Sequence, residues 1–272
     1  MIVDCAELTE FDELVREKRA NPHTGRCKCG VDLGTANIVL AVVDGENNLV
    51  AGATCPSKVV KDGIVVDYMG AIRIVRRLKS ELEELTGCEL TDASCAIPPG
   101  IMDGNARFIA NVVESAGFNV TNVVDEPTAA AEVLGIRDGA VVDIGGGTTG
   151  ISILEDGEVV YVADEPTGGT HMSLVLSGYY KVSFDEAEEI KKDIARQDET
   201  FPLIKPVVAK MASIVKRFIE AEGRNVPAIY LVGGACSFDE FESVFEKETG
   251  IPCYKANVPL LVTPLGIAKL CR

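Results

Sequence analysis

Two aspartates each follow an apolar run and stand directly before a glycine-rich turn. Asp32 lies in Val31-Asp32-Leu33-Gly34, and Asp143 lies in Val142-Asp143-Ile144-Gly145. Glycine turns let backbone amides point inward and hold an anion such as phosphate. Carboxylates beside a phosphate would repel it unless a cation intervenes, and Mg²⁺ prefers such oxygen ligands. The pair therefore predicts a magnesium and phosphate site, although either aspartate alone could simply cap its turn.

The second glycine turn also fits the pattern of a dinucleotide-binding loop, but its context does not. Gly145, Gly147 and Gly150 satisfy G-x-G-x-x-G, a pattern that requires a helix to follow. Residues 151–154 and the turn Asp156-Gly157 predict a strand and a hairpin instead. A nicotinamide-dependent enzyme is therefore disfavoured, and a Walker phosphate loop is absent from the sequence.

The two aspartate segments belong to a duplication. Each is followed by an apolar run and an acidic turn, Asp44-Gly45-Glu46 and Asp156-Gly157-Glu158, and the offset from Asp32 to Asp143 is 111 residues. The alignment places one extra residue in the second glycine loop. Such a long period predicts two similar α/β lobes of mixed sheet flanked by helices, with a ligand cleft between the paired turns.

The remaining elements follow from hydrophobic periodicity and from glycine and proline breaks. We expect strands at 94–97 (closed by Pro98-Pro99-Gly100), 120–124 and 228–232. We expect helices at 1–20, 72–85, 105–116, 128–134, 185–195, 205–222, 238–247 and 265–270. The first helix looks appended to the duplicated part.

Composition narrows the classes of partner and compartment. The chain has 272 residues, which predicts about two domains, and a net charge of −16 disfavours nucleic acid and anionic membranes as partners. No run approaches the roughly 20 apolar residues of a membrane span. Nine scattered cysteines predict free thiols in the cytoplasm. Cys27 and Cys29 are expected to be loop cysteines entering a strand, since no second pair completes a metal site.

Five motifs in order resemble the actin-like ATPase superfamily, which includes DnaK-type chaperones, actin, MreB and sugar kinases. They are Val31-Asp32-Leu33-Gly34-Thr35-Ala36-Asn37, Asp125-Glu126-Pro127-Thr128-Ala129-Ala130-Ala131, Asp143–Thr149, Leu231-Val232-Gly233-Gly234 and Thr263-Pro264-Leu265-Gly266-Ile267-Ala268. The resemblance covers about residues 28–272. It implies lobe I at 28–136, lobe II at 137–256 and a helix at 257–272 that returns to lobe I.

The resemblance also implies ATP or ADP as ligand, with Mg²⁺ held through water by Asp32 and Asp143. Glu126 would orient an attacking water, which makes these three residues the candidate catalytic set. The nucleotide would be bound by Gly34, Thr35, Asn37, Gly145, Gly146, Gly147, Thr148, Thr149, Gly168, Gly169, Glu188, Lys191, Lys192, Gly233 and Gly234. For Glu188 to Lys192 a solvated helix face remains the alternative, and for Gly168-Gly169 a plain hinge turn does. His171 is expected to be structural.

Four alternatives for the function stay open, of which the fourth is a filament-forming protein like MreB. The resemblance implies slow ATP hydrolysis, yet Gly150 stands where DnaK carries a further aspartate, and neither Lys58 nor Lys61 is a convincing catalytic lysine. A nucleotide-dependent interaction or scaffold protein without significant hydrolysis is therefore the second hypothesis. A small-molecule kinase of the same fold is the third.

The short length and the N-terminal segment 1–27 are similar to a chaperone-like family of ethanolamine-utilization proteins, EutJ. That resemblance implies a role in ethanolamine utilization, in or near a bacterial microcompartment. Under one hypothesis the first helix docks on shell or enzyme proteins through its apolar stripe. Under the other, the stripe packs on the chain's own lobe.

Overall fold

The structure is a computed structural model. It describes residues 1–61, 64–97 and 103–272, and for residues 103–106 it describes the backbone alone. The strands, in chain order, are β1 (Ile2–Val3), β2 (Cys27–Leu33), β3 (Asn37–Asp44), β4 (Leu49–Pro56), β5 (Val60–Lys61), β6 (Ile64–Val65), β7 (Asp92–Ile97), β8 (Asn119–Asp125), β9 (Gly139–Ile144), β10 (Thr149–Glu155), β11 (Glu158–Glu165), β12 (Ile229–Val232) and β13 (Cys253–Ala256). The helices are α1 (Ala6–Glu17), α2 (Tyr68–Thr86), α3 (Asp103–Ser115), α4 (Glu126–Leu134), α5 (Gly169–Tyr180), α6 (Phe184–Lys192), α7 (Gln197–Glu222), α8 (Phe241–Thr249) and α9 (Val262–Lys269).

The duplication is visible in the order of the strands. One main sheet runs β4-β3-β2-β7-β8, and the other runs β11-β10-β9-β12-β13 with β1 added beyond β13. Each lobe therefore has an antiparallel meander of three strands and two further strands parallel to the first. The predicted α/β fold of two duplicated lobes with mixed sheets is confirmed.

The extra residue of the second lobe lies in the hairpin rather than in the glycine loop. Leu33 pairs with Ile38 and Ile144 pairs with Thr149, so the turns 34–37 and 145–148 are equally long. Both meanders contain a register shift just before their acidic turns, at Val42/Val43 and at Ile153/Leu154. The insertion was predicted in the second glycine loop, and that position is wrong because the two acidic turns do not occupy equivalent positions in their hairpins.

The N-terminal segment is an integral part of both lobes. β1 pairs in parallel with β13 and extends the sheet of the second lobe. α1 then packs on β4 of the first lobe, where Phe11 lies directly over Gly52, and Leu8, Phe11 and Leu14 are fully buried. Glu7 also forms an ion pair with Lys269 of α9 at 2.6 Å. The apolar stripe of α1 therefore packs inside its own chain, as the second hypothesis expects.

Two helices cross between the lobes at very close range. A Cβ atom on Gly266 of α9 would lie 1.8 Å from the carbonyl oxygen of Ala129 in α4. A Cβ on Gly30 of β2 would lie 2.3 Å from the amide nitrogen of Ala268. The glycines therefore permit backbone-to-backbone packing that holds α9 against both α4 and the first sheet.

Several helix boundaries differ from the prediction. α7 begins at Gln197 and contains Pro202 and Pro206, although the predicted helix begins at 205. A short 3₁₀ turn, Ile194–Arg196, leads directly into α7, so the first turn of α7 continues a helical turn that has already formed.

Pro98, Pro99 and Gly100, which were expected to end a strand, lie outside the described residues. Of the helices that the structure describes, none has both the length and the apolar character to cross a bilayer. Cys27 and Cys29 lie inside β2, both buried, and all nine cysteines are free.

Candidate functional site

Three acidic residues converge where the lobes meet. Asp32 is near the end of β2, Asp143 is near the end of β9, and Glu126 is the first residue of α4. Asp125 caps α4 by accepting hydrogen bonds from the amide of Thr128 at 2.9 Å and from its hydroxyl at 2.8 Å. The cap fixes the start of the helix and so fixes the place from which Glu126 projects.

Burial and neighbouring carboxylates raise the pKa values of all three acids. Burial raises the pKa of Asp32 to about 7, and the carboxylate of Asp143 adds to the rise. Burial raises the pKa of Asp143 to about 6, against a hydrogen bond that Thr263 donates to its Oδ2 at 3.3 Å. Burial also raises the pKa of Glu126 well above its ordinary value, with further contributions led by Asp143 and Asp32. Every neighbouring charge that shifts these three pKa values is another carboxylate.

The donor set fits a hydrated divalent cation. Among the residues that the structure describes, no three carboxylate, imidazole or thiol groups are close enough to ligate one metal ion directly. Mg²⁺ commonly keeps several waters and needs only one or two carboxylates. A cation would also offset the repulsion from neighbouring carboxylates that adds to the effect of burial on these three pKa values. Asp32 and Asp143 are therefore suited to hold Mg²⁺ through water.

The two glycine turns face each other across the cleft. A Cβ on Gly146 would lie 3.1 Å from the Cβ of Ala36 and 3.7 Å from the Cγ2 of Thr35. The amide of Gly145 donates to the carbonyl of Thr148 at 3.0 Å, which closes the second turn. Within the described part of the chain, the amides of Gly146 and Gly147 have no protein acceptor. They are available to an anion, as the sequence predicts.

The Gly168-Gly169 turn braces the second glycine loop. The amide of Gly169 donates to the carbonyl of Gly145 at 2.9 Å, and that of Thr170 donates to Gly146 at 2.8 Å. A Cβ on Gly168 would lie 2.7 Å from the carbonyl oxygen of Gly145. Because these two amides already donate to carbonyls of the second glycine loop, the Gly168-Gly169 turn positions that loop. Direct contact of the turn with a phosphate stays a prediction.

The glycine pair after β12 approaches the acidic group directly. Gly233 has a φ of +90°, and a Cβ there would lie 2.3 Å from Oδ1 of Asp143. Its amide donates to the carbonyl of Pro259 at 3.0 Å. A Cβ on Gly234 would touch Leu260 at 3.1 Å. Gly233 is therefore required by the packing of Asp143, and its predicted approach to adenosine remains a prediction.

The charged residues of α6 divide into two groups. Lys191 donates to the carbonyl of Gly169 at 3.1 Å and pairs with Glu188 at 2.6 Å, and both side chains are largely buried. Glu188 also accepts from Ser173 of α5. Lys192 is half exposed and reaches Glu188 at 3.7 Å. Lys191 and Glu188 therefore tie α6 to the brace of the glycine loop and do not form a solvated face.

Lys58 and His171 both have contacts outside the acidic group. Lys58, which follows β4, forms an exposed ion pair across the cleft with Asp185 of α6 at 2.6 Å. The amide of Gly168 lies 3.4 Å from Nδ1 of His171, at the start of α5, in line with a structural role.

The structure adds an acidic residue that the sequence prediction missed. Asp164 of β11 is exposed and acts electrostatically on both Asp143 and Glu126. A register counted from the Asp156-Gly157 turn would place Asp164 opposite Thr149, on the other face of the sheet. The register shift at Ile153/Leu154 places it opposite Gly150 instead. A signal for that shift is not evident in the sequence.

Comparisons with known proteins agree with this architecture. A family model described as Type IV pilus assembly protein PilM matches residues 111–261. The ethanolamine utilization protein EutJ of Salmonella typhimurium is 45% identical over 246 residues, which cover 89% of this chain and 85% of that relative.

Solved structures extend the similarity to the whole fold. The crystal structure of EutJ from Carboxydothermus hydrogenoformans matches with a TM-score of 0.92 and 50% identity, covering 97% of this chain and 96% of that one. MreB5 of Spiroplasma citri bound to AMPPNP matches with a TM-score of 0.70 and 18% identity, covering 90% and 95%, which shows a shared fold alone. With this identity over most of its length, the chain belongs to the EutJ family of ethanolamine utilization proteins.

Proposed function

We propose that this protein binds ATP with Mg²⁺ between its two lobes and acts in ethanolamine utilization through nucleotide-driven closure. The observation that carries the proposal is the meeting of two glycine turns beside three uncompensated carboxylates. Free amides on the second turn would receive phosphate oxygens, and the carboxylates would receive a hydrated cation. An anion and a cation together fit this site better than either does alone.

Each residue has a defined part in this proposal. Asp32 and Asp143 would hold the waters of Mg²⁺, which supplies charge neutralisation for the phosphates when bound. Gly34, Thr35 and Asn37 from one turn and residues 145–149 from the other would hold the β- and γ-phosphates. Glu126 would orient a water for slow hydrolysis, a reaction in which positioning and electrostatics supply most of the catalysis.

Lobe closure would be the output of nucleotide binding. The turns approach closely at Gly146 and Ala36, since even an added Cβ on Gly146 would lie 3.1 Å from the Cβ of Ala36, so phosphates entering between the turns would move the lobes apart. The exposed pair Lys58–Asp185 bridges the same cleft and would break in that motion. A ligand shifts such an equilibrium only by its differential affinity for the two forms, and the γ-phosphate and its cation provide that difference.

A nucleotide-dependent scaffold without significant hydrolysis is the second candidate. The observation that favours it is the engagement of Lys58 with Asp185, away from the three acids. Partner binding in a microcompartment would then depend on nucleotide-induced closure alone. Such a partner would not use the apolar stripe of α1, because that stripe is buried.

Calorimetric titration with ATP and Mg²⁺ tests the proposal. The wild type should bind, and Asp32→Asn and Asp143→Asn should each lose the Mg²⁺-dependent part of the affinity. Asp12→Asn, on the exposed side of α1, is the matched control for loss of one acidic charge. Absence of binding by the folded wild type would refute nucleotide binding. Turnover that is equal in the wild type and Glu126→Gln would refute hydrolysis and leave the scaffold.

A further inference from the structure

Asp164 lies in line with Asp143 on the sheet of the second lobe. The register pairs Asp143 of β9 with Gly150 of β10, and Gly150 with Asp164 of β11. Directly paired residues of antiparallel strands project to the same face of the sheet. Tyr161 and Ala163 of β11 pack into the core on the opposite face, so Asp164 faces the cleft.

The spacing of the two carboxylates suits a hydrated ion. Two strand separations place the Cα atoms of Asp143 and Asp164 roughly 10 Å apart, with Gly150 between them contributing no side chain. That separation is too wide for both carboxylates to ligate one Mg²⁺ directly at about 2.1 Å. It matches an ion that keeps a shell of water against each carboxylate. Asp164 is exposed on the face of the sheet that borders the cleft.

A second observation at the same place points to a bound ligand. Ser152 is fully buried, and its Oγ has no hydrogen-bond partner among the described groups. It lines a small cavity, about the size of one water molecule, together with Glu126, Asp143 and Gly150. A buried hydroxyl without a partner costs free energy unless a ligand or a water satisfies it. The cavity thus links Ser152 to the acidic residues.

We propose that Asp164 completes a hydrated divalent-cation site with Asp143 and Glu126. Gly150 leaves room for the water shell of the ion, and Ser152 binds one of these waters. The inference extends the proposed nucleotide function by adding a cation-positioning residue from β11. It can be tested with the cation alone.

The probe is Mn²⁺ without nucleotide, with bound and free ion distinguished by electron paramagnetic resonance. Asp164→Asn should weaken Mn²⁺ binding roughly tenfold or more, in the range found for outer-shell groups of metal sites. Glu158→Gln, at the other end of β11 and also exposed, removes the same charge and should leave the affinity unchanged. Adding Gly150→Asp to Asp164→Asn moves the carboxylate by one strand and should restore part of the affinity.

Equal Mn²⁺ affinity in Asp164→Asn and Glu158→Gln would overturn the proposal, as would a wild type that does not bind Mn²⁺. Circular dichroism and thermal melting establish that each variant is folded. Parallel titrations of the wild type with ATP and Mg²⁺ separate the cation-site proposal from the nucleotide-binding proposal. Mn²⁺ binding that depends on Asp164 would support the site even if ATP fails to bind, and ATP binding would support the proposed function even if Asp164 has no effect.

Discussion

Replacing Asp32 by asparagine should stabilise the protein at neutral and alkaline pH while removing a residue of the candidate site. Burial and the charge of Asp143 raise the pKa of Asp32 from 3.8 to about 7. The folded state therefore binds a proton more tightly than the unfolded state does. Stability is then greatest near and below pH 4 with respect to this group, and it falls as pH rises from about 4 to about 7.

The magnitude follows from the same two values. Each pKa unit is worth about 1.4 kcal/mol, so full ionisation of Asp32 costs the folded state about 4 kcal/mol. Asparagine has nearly the same shape and no charge. The stability of Asp32→Asn relative to the wild type should therefore rise with pH and reach a few kcal/mol at pH 8.

Urea unfolding in EDTA at pH 5, 6, 7 and 8 measures this difference. Asp44→Asn is a control of opposite sign, because hydrogen bonds from Asn48 and Glu46 lower the pKa of the half-buried Asp44. That variant should lose stability at high pH. A stability difference between the wild type and Asp32→Asn that does not change with pH would refute the reasoning.

Three further substitutions test the packing that positions the site. Gly266→Ala should destabilise the protein by about 2 kcal/mol or more and lower its melting temperature, since the new Cβ would lie 1.8 Å from a backbone oxygen of α4. Gly178→Ala is the control on α5, where a Cβ meets no other atom, and it should not lower the melting temperature. Phe11→Ala should lower the free energy of unfolding by about 3–5 kcal/mol, and Val15→Ala, at a half-buried position, should lower it clearly less. An unchanged urea midpoint for Phe11→Ala would contradict the packing of α1 on its own chain and favour the docking hypothesis. Gly168→Ala should displace the second glycine loop and weaken ATP binding about tenfold by calorimetry, an effect that Gly178→Ala should lack.

The sequence contained enough information for the fold because the duplication repeats local signals. An aspartate, a glycine turn, an apolar run and an acidic turn occur twice, and strand order follows from such a repeat. The glycine turns and the acidic residues that meet at the cleft were predicted on the same basis. Their short turns leave little choice of register, so the aspartates must lie at the cleft.

Features that depend on distant packing were not predictable. The stripe of Leu8, Phe11 and Leu14 has the same periodicity whether it covers a partner or β4. Asp164 changes face through a single register shift in the hairpin that contains it. Lys191 and Glu188 read as a solvated helix surface until α5 and the Gly169 turn are packed against them. In each case a local pattern fits two environments, and tertiary contacts select one.

The pairing of β1 with β13 has a consequence for the order in which the chain can fold during synthesis. The amino group of Met1 donates to the carbonyl of Cys253 at 2.9 Å, across a separation of 252 residues. β1 therefore has no strand partner until β13, separated from it by a similar stretch of chain, has emerged from the ribosome. Until then the apolar residues of α1 also lack their contacts with late residues such as Leu261 and Leu265, and non-local contacts of this kind make folding slow and prone to aggregation. The N-terminal residues should be among the last to acquire protection from hydrogen exchange, and a fusion placed directly before Met1 would burden that final step.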